Sequence, residues 1–317
     1  MAARFVGGGL TAFSLCVSCF AQFESPITTG PIVRLEGGGY INEETVRTAR
    51  ETVSHSYLLP NWTNQTGFEK NVFTFSRVIF KSDLNRPGSN GFDGGRGGGG
   101  RLGWVIDYPD ADLNLSYRLQ QMTSMKVDPD GRALKLTNPD LWTLPFLYME
   151  HVERMALSAD EVRNLRKYLQ LGGAIFVSDF WGIIAWQNFS TEMARVLPEH
   201  RWVDLTTDHP IFHCLFDLRR SFNYLQIPTM QFWNRDYNPT DISFGPMWLR
   251  YRGEGSEEMH VRALLDKKDR IMVLAIMNSD VSDGWEREGE NTTYFKEFSE
   301  TRAYPLAINL LFYLMTH

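Results

Sequence analysis

Cysteine is scarce, with only three in 317 residues, and two of them, Cys16 and Cys19, lie near the N-terminus in a segment that reads as removable. Cys214 then stands alone. No intramolecular disulfide can form, a thiol-stapled scaffold is excluded, and stability must come from a hydrophobic core. A single cysteine of this sort is more often a small buried hydrophobe than a nucleophile. Basic charge is also short: 32 Lys and Arg against 38 Asp and Glu leave a net charge of −6. Such a chain has no footprint for neutralising phosphates, which excludes nucleic acid as a partner and disfavours anionic membrane surfaces. No repeat of solenoid or propeller period is visible. Beyond the N-terminus no apolar run is long enough to span a bilayer. What is abundant is apolar and aromatic side chain, 43% and 13% of the chain, enough for a full globular core.

The chain opens Met1-Ala-Ala-Arg4, continues apolar from Phe5 to Ala21, and turns polar at Gln22-Phe-Glu24-Ser-Pro26. A short basic start, an apolar region of that length and a small residue at Ala21 predict a signal peptide over residues 1–21, cleaved before Gln22. The protein is therefore expected to be exported, to the periplasm or outside the cell, with no stable membrane span after cleavage. Gly7, Gly8, Gly9, Ser14 and Ser18 dilute the run as a permanent anchor. Cys16-Val-Ser-Cys19 lacks the aliphatic residue expected three places before a lipidated cysteine. Residues 22–56 read as an N-terminal segment with a short helix capped by Asn42, with Val46, Ala49 and Val53 on one face. Residues 57–317 read as one α/β domain.

Within that domain, Val72-Phe-Thr-Phe-Ser-Arg-Val-Ile-Phe80 predicts a strand. The glycine-rich stretch from Gly88 to Gly103, with Arg96 and Arg101, lacks the spacing of a P-loop or a dinucleotide fingerprint and reads as a surface loop. A short strand is predicted at Trp104–Ile106, feeding Asp107-Tyr-Pro-Asp110-Ala-Asp112, after which a helix runs to about Thr123, and strands are predicted near Leu134–Leu136 and Leu144–Met149. The clearest unit runs from Ser158 to Val177. Ser158-x-x-Glu161 is a capping box, Val162, Leu165 and Leu169 share a face, Gly172-Gly173 stops the helix, and Ala174-Ile-Phe-Val177 is an apolar strand. A helix over Ile184–Val196 and a strand over Trp202–Leu205 continue the alternation that marks an α/β sheet. Met259–Leu265 and Arg270–Met277 predict an antiparallel hairpin, and Ala303–Met315 a buried closing helix with Pro305 in its first turn.

Seven stretches together resemble a bacterial family of proteins, the domain-of-unknown-function family 4159. They are Gly67–Phe75, Asp107-Tyr-Pro-Asp-Ala-Asp-Leu-Asn-Leu115, Pro145-Phe-Leu-Tyr148, Gly172-Gly173 through Asp179-Phe-Trp-Gly182, Asp208-His-Pro-Ile-Phe-His213, Gly284-Trp-Glu-Arg-Glu-Gly289 and Ala303-Tyr-Pro-Leu306. The resemblance implies the class I glutamine amidotransferase-like superfamily and a flavodoxin-like three-layer sandwich with a mostly parallel sheet. It implies no activity, since the family has none assigned. Working members of that superfamily carry a nucleophile at a sharp turn after a strand. Aligned on Gly182, Ser178-Asp-Phe-Trp-Gly182 puts Phe180 there, which cannot attack a carbonyl, and no G-x-S-x-G elbow substitutes.

The densest acidic run is Asp107, Asp110, Asp112 and Asn114. It fails as an EF-hand, since Leu115 and Gln121 stand where Gly and Glu belong, but leaves room for a looser Ca²⁺ or Mg²⁺ site. Its bland reading is helix capping by Asp110 or Asp112 with Arg118 as partner. His209 and His213 have a zinc-like spacing without the accompanying Glu, and the alternative is a turn around Pro210 with His213 and Cys214 in the core. Asp179 follows a parallel strand, where open α/β sheets place ligands. Trp181 and Trp186 near it can stack on a ring or pack in the core, and Asp107 or Glu286 can pair with Asp179 for glycoside chemistry. Trp285, Glu286 and Arg287 sit in a charged loop suited to an anionic or carbohydrate ligand or to local ion pairs. The expectation is a non-catalytic module that binds a small molecule, glycan or protein of the cell envelope. The alternative is a carboxylate- or metal-dependent hydrolase of envelope glycans or peptides. No cofactor is required by either reading, and a divalent cation is the one candidate.

Overall fold

The computed structural model describes residues 32–35, 38–54, 59–68, 71–83, 85–87, 103–230 and 253–317. The predicted signal peptide and nearly all of the glycine-rich loop with Arg96 and Arg101 lie outside the described residues. The predicted apolar runs become strands β3 (Ser76–Ile79), β4 (Arg132–Lys135), β5 (Phe146–Glu150), β6 (Ala174–Ser178), β7 (Trp202–Asp204), β8 (His260–Leu265) and β9 (Ile271–Met277). They form one sheet in the order β4-β3-β5-β6-β9-β8-β7. The first five are parallel, and β8 and β7 continue the sheet antiparallel. Taken alone, the parallel strands follow the flavodoxin-like order, in which strand order reverses between β3 and β5.

Both faces of this sheet are buried, so its central strands are apolar throughout instead of alternating with polar residues. Leu147, Met149, Ile175, Val177, Val273 and Ala275 point to one core, and Phe146, Tyr148, Phe176, Leu274 and Ile276 to the other. Helices α2 (Ala159–Gln170) and α3 (Gly182–Val196) cover the first face through Val162, Leu165, Leu169, Phe189 and Met193. Helix α1 (Asp110–Met122) covers the second through Ala111, Leu115 and Leu119, together with the C-terminal helix. The result is a three-layer α/β sandwich. Shorter helices are α4 (Phe222–Leu225), α5 (Asp283–Glu286) and α6 (Thr292–Tyr294), and a π-helical stretch, Phe295–Ala303, leads into α7 (Tyr304–Thr316). Among the described residues no helix is long and apolar enough to cross a membrane.

Local chemistry sets the boundaries. Ser158 Oγ accepts from Glu161 N at 3.3 Å, and Glu161 Oε2 accepts from Ser158 N at 2.8 Å, so the capping box starts α2 as expected. Gly172, at φ +114, ends it, and a side chain at Gly173 would strike the Tyr168 ring. Two predictions fail. The segment after Asn42 is not a helix: an antiparallel pair, β1 (Ile32–Arg34) and β2 (Tyr40–Asn42), precedes a turn in which Asn42 Oδ1 accepts from Glu44 N. Only Ala49–Glu51 coils, as a 3₁₀ turn, and Val53 is exposed. Asn and a run of acids suit a turn as well as a cap. Val33, Ile41, Val46 and Ala49 nevertheless belong to the main core. Trp104–Ile106 is also not a strand: Gly103–Val105 is a 3₁₀ turn, because Arg77 captures its carbonyl groups.

Candidate metal centre

The parallel strands end in polar residues with unusual backbone. His151 directly follows β5, Asp179 follows β6 and Asn278 follows β9, with φ of 48°, 48° and 61°. Asp107, in the chain returning from β3 to α1, has φ 57°. Non-glycine residues in this left-handed region cost of order 1 kcal/mol or more and cluster where the surrounding structure fixes them for use. Here the support is visible. Asn278 Oδ1 accepts from Gly182 N at 2.8 Å, and its amide nitrogen donates to Gly255 O and Glu258 O. Arg77 on β3 donates to the carbonyl oxygens of Trp104 and Ile106 at 3.1 and 3.0 Å, which fixes the chain just before Asp107.

The C-terminal edge so built gathers carboxylates. Oxygens of Asp107, Asp283 and Glu286 lie within 4.8 Å of one another, and so do oxygens of Asp107, Asp179 and Asp280. All five residues are at most 3% exposed. Asp179 is held by His151 Nε2 at 2.5 Å and by Trp181 Nε1 at 2.6 Å. Asp280 accepts from Thr229 Oγ1, and Asp283 from Met230 N, both at 2.6 Å. Arg287 Nε lies 2.8 Å from Glu286 Oε2. Asp107 Oδ2 is buried with no hydrogen-bond partner among the described residues. Burial, and then the charges of Glu286, Glu150, Asp283 and Asp280, push the Asp107 carboxyl well above the ordinary carboxylate range. Asp283 is raised by burial, against the opposing pull of Arg287. Burial opposes a charge on His151, but Asp179 and Glu153 outweigh it and hold the imidazole protonated well above its usual range. Close-set oxygen ligands with suppressed ionisation are what a hard divalent cation reverses when it binds.

Beside this cluster lies a second acidic group that holds a cation of the chain itself. Arg77, fully buried, pairs with both Asp112 and Glu150. Its Nε sits 2.9 and 3.1 Å from the Asp112 oxygens. Glu150 also accepts from Tyr148 OH at 2.9 Å, and burial lifts its carboxyl to about 7 despite Arg77.

A family model described as a domain of unknown function, DUF4159, matches residues 98–315. The chain belongs to that family. No curated protein matches it. All five clustered carboxylates, with His151 and Arg287, fall inside the DUF4159 stretch, whereas Arg77 precedes it.

Of the residues marked in the sequence, the structure brings Asp107, Asp179 and Glu286 together, sets Trp181 and Arg287 against them, and gives the others different partners. Asp110 accepts from Ser54 at the head of α1, and Asp112 serves Arg77, so neither caps the helix or meets Arg118. Arg118 instead pairs with Glu288. Trp181 and Trp285 are buried and not presented to a ring ligand: Trp181 braces Asp179, and Trp285 packs on Tyr148 at 5.9 Å. Trp186 packs edge-on against Trp202 at 4.9 Å, with the Arg262 guanidinium 4.3 Å from its ring centre. Arg287 is engaged by Asp283, Glu286 and Glu290, so the charged segment is a local ion-pair network. His209 and His213 flank a 3₁₀ turn beside α7, outside the cluster, and His213 and Cys214 are only half-buried. The sharp turn after β6 falls at Asp179, while Phe180 is core, 5.2 Å from Phe189. A cleft of about 460 Å³ lies along β4 between Glu43 and Lys135, and two of the three cations that line it are engaged by acids, Arg132 by Asp140 and Lys135 by Glu44.

Sequence reasoning missed Arg77, Glu150, His151, Asn278, Asp280 and Asp283. The available signal was a polar residue closing each apolar strand, as in Met149-Glu-His151 and Met277-Asn-Ser-Asp280. For Arg77 it was a lone charge inside an apolar strand.

Proposed function

We propose that this chain is an exported, non-catalytic module of the cell envelope that binds a divalent cation at the C-terminal edge of its sheet and engages its glycan, small-molecule or protein partner through the loops that the cation orders. The observation that carries this reading is the buried, unpartnered oxygen of Asp107 at the shared corner of two carboxylate triads. The flavodoxin-like strand order supports descent from an amidotransferase-like fold, and a carboxylate at the turn after β6 argues against nucleophilic amide transfer. The signal-like N-terminus supports export. Residues 22–317, stripped with EDTA, should gain several degrees of melting temperature in millimolar Ca²⁺ or Mg²⁺, and Asp107→Asn should abolish the gain. A stripped protein that melts at the same temperature with and without cation rejects the reading. Fractionation of cells carrying a C-terminally tagged chain tests export separately.

A second reading, a cation-dependent hydrolase of envelope glycans or peptides, is favoured by three left-handed residues at the carboxylate cluster, Asp107, Asp179 and the His151 that holds Asp179. EDTA-sensitive release of reducing ends or amines from purified peptidoglycan, lost in Asp179→Asn, would establish it over the binding role. A glycosidase of the paired-carboxylate type is the less suited form, because Asp107, Asp179 and Glu286 are too deeply buried to flank a sugar ring.

A further inference from the structure

Resting on the cation-binding reading, we infer that the cluster holds two calcium ions, bridged by the carboxylate of Asp107. Asp107 is the one residue common to both triads, of which one is completed by Asp283 and Glu286 and the other by Asp179 and Asp280. A carboxylate carries two oxygens and can serve two ions at once. The buried Asp107 Oδ2 lacks a hydrogen-bond donor among the described residues, while the other members each touch a group outside the cluster. His151 and Trp181 hold Asp179, Thr229 holds Asp280, Met230 N holds Asp283 and Arg287 holds Glu286. Donors behind the ligands, with the ligands facing a common point, are how metal sites are kept in geometry.

The donor set selects the ion. All five side chains offer carboxylate oxygens, which suit a hard cation, and Ca²⁺ takes about 6–8 oxygens in irregular geometry where Mg²⁺ demands a near-ideal octahedron. Charge points the same way. Among the described residues, seven buried carboxyl groups, Asp107, Asp112, Glu150, Asp179, Asp280, Asp283 and Glu286, lie near three cations, Arg77, His151 and Arg287, two of which are shared with Glu153 and Glu290. Each divalent ion offsets two negative charges in that low-dielectric interior, and the two triads offer a place for each of two ions.

The test is the stoichiometry of Ca²⁺ on the EDTA-stripped chain, by equilibrium dialysis with metal analysis and by calorimetry. Two ions per chain are expected. Asp280→Asn and Glu286→Gln should each reduce this to one, and Asp107→Asn should lower the affinity of both ions at least tenfold. Mn²⁺ substituted at two equivalents should show the exchange-coupled resonance of ions sharing a carboxylate. That measurement needs no variant, so it decides the matter should a substitution fail to fold. No bound ion overturns the cation reading and this inference together. A single ion, or two Mn²⁺ with uncoupled spectra, overturns the bridged pair and leaves cation binding standing.

Discussion

Two acidic regions sit side by side at the C-terminal edge of the sheet, and they solve the same problem differently. In the first, Asp112 and Glu150 close on the guanidinium of Arg77, which also ties down the carbonyl groups of Trp104 and Ile106. In the second, Asp107, Asp179, Asp280, Asp283 and Glu286 crowd together, with His151 against Asp179 and Arg287 against Asp283 and Glu286, and Asp107 Oδ2 has no hydrogen-bond partner among the described residues. Both groups are buried, and burial penalises charge in both. The first is braced by a cation of the chain itself, whereas under the proposed function the second takes its cation from outside.

The contrast breaks most visibly at Arg77. Arg77→Met should destabilise the chain by about 3–5 kcal/mol, since removing one partner leaves two buried carboxylates uncompensated. Chemical denaturation measures it. A cost under about 1 kcal/mol would mean that Asp112 and Glu150 relax or hold protons, and that the first region is no more self-contained than the second.

The next largest effect is on pH. The carboxyl of Glu150 is raised from 4.5 to about 7, and those of Asp107, Asp112 and Asp283 also move up. The folded chain therefore binds more protons than the unfolded chain between these limits. The stability that Glu150 contributes is fully present below pH 4.5 and is lost as pH rises through about 7, by up to about 3 kcal/mol. In the absence of cation, the unfolding free energy should fall across that window, and saturating Ca²⁺ should flatten the fall by favouring ionised ligands. A metal-free profile that rises between pH 5 and 7 would contradict the burial seen here.

Calcium itself gives the third effect. At a hundredfold excess over its dissociation constant, a ligand of the folded state adds about 2.7 kcal/mol per site. Asp107→Asn should forfeit this gain while leaving the metal-free protein no less stable, because it removes a crowded charge. If Asp112→Asn forfeits the calcium gain as fully, the division between the two regions is wrong.

How much of this could be read from residues alone follows the physics of each element. The capping box at Ser158, the stop at Gly172-Gly173 and the hairpin turn at Asp266–Asp269 are local, and they fold as read. So do the apolar strands, whose lack of alternation signals burial on both faces. The site was legible only in part. Asp107, Asp179 and Glu286 stood out individually, but their meeting depends on β3, β6 and β9 sharing one sheet edge, which no spacing along the chain encodes. Arg118 was the plausible partner for Asp112 because an acid six residues earlier on one helix is the nearest counter-charge in sequence. Arg77, on β3, reaches it instead through tertiary structure.

His209 and His213 make the smallest prediction and mark the outer limit of the comparison. Four apart, they would share the face of an α-helix, but Pro210–Phe212 is a 3₁₀ turn and each ring takes its own backbone partner. His209 Nδ1 accepts from Ile211 N at 3.3 Å, and His213 Nε2 meets the carbonyl of Asp208 at 3.2 Å. Burial, with His213 and His317 nearby, lowers the His209 pKa, so near neutral pH its ring is a neutral cap and not a counter-ion. His209→Ala should therefore cost about 0.5–1 kcal/mol for the cap, remove the small rise in stability that a lowered histidine pKa gives as pH climbs through the usual histidine range, and leave the calcium stoichiometry unchanged. Were it to lower calcium binding, the coupling would have to pass from α7 through the core to α5, and the acidic edge could no longer be treated as a unit whose behaviour is set by the charges that touch it.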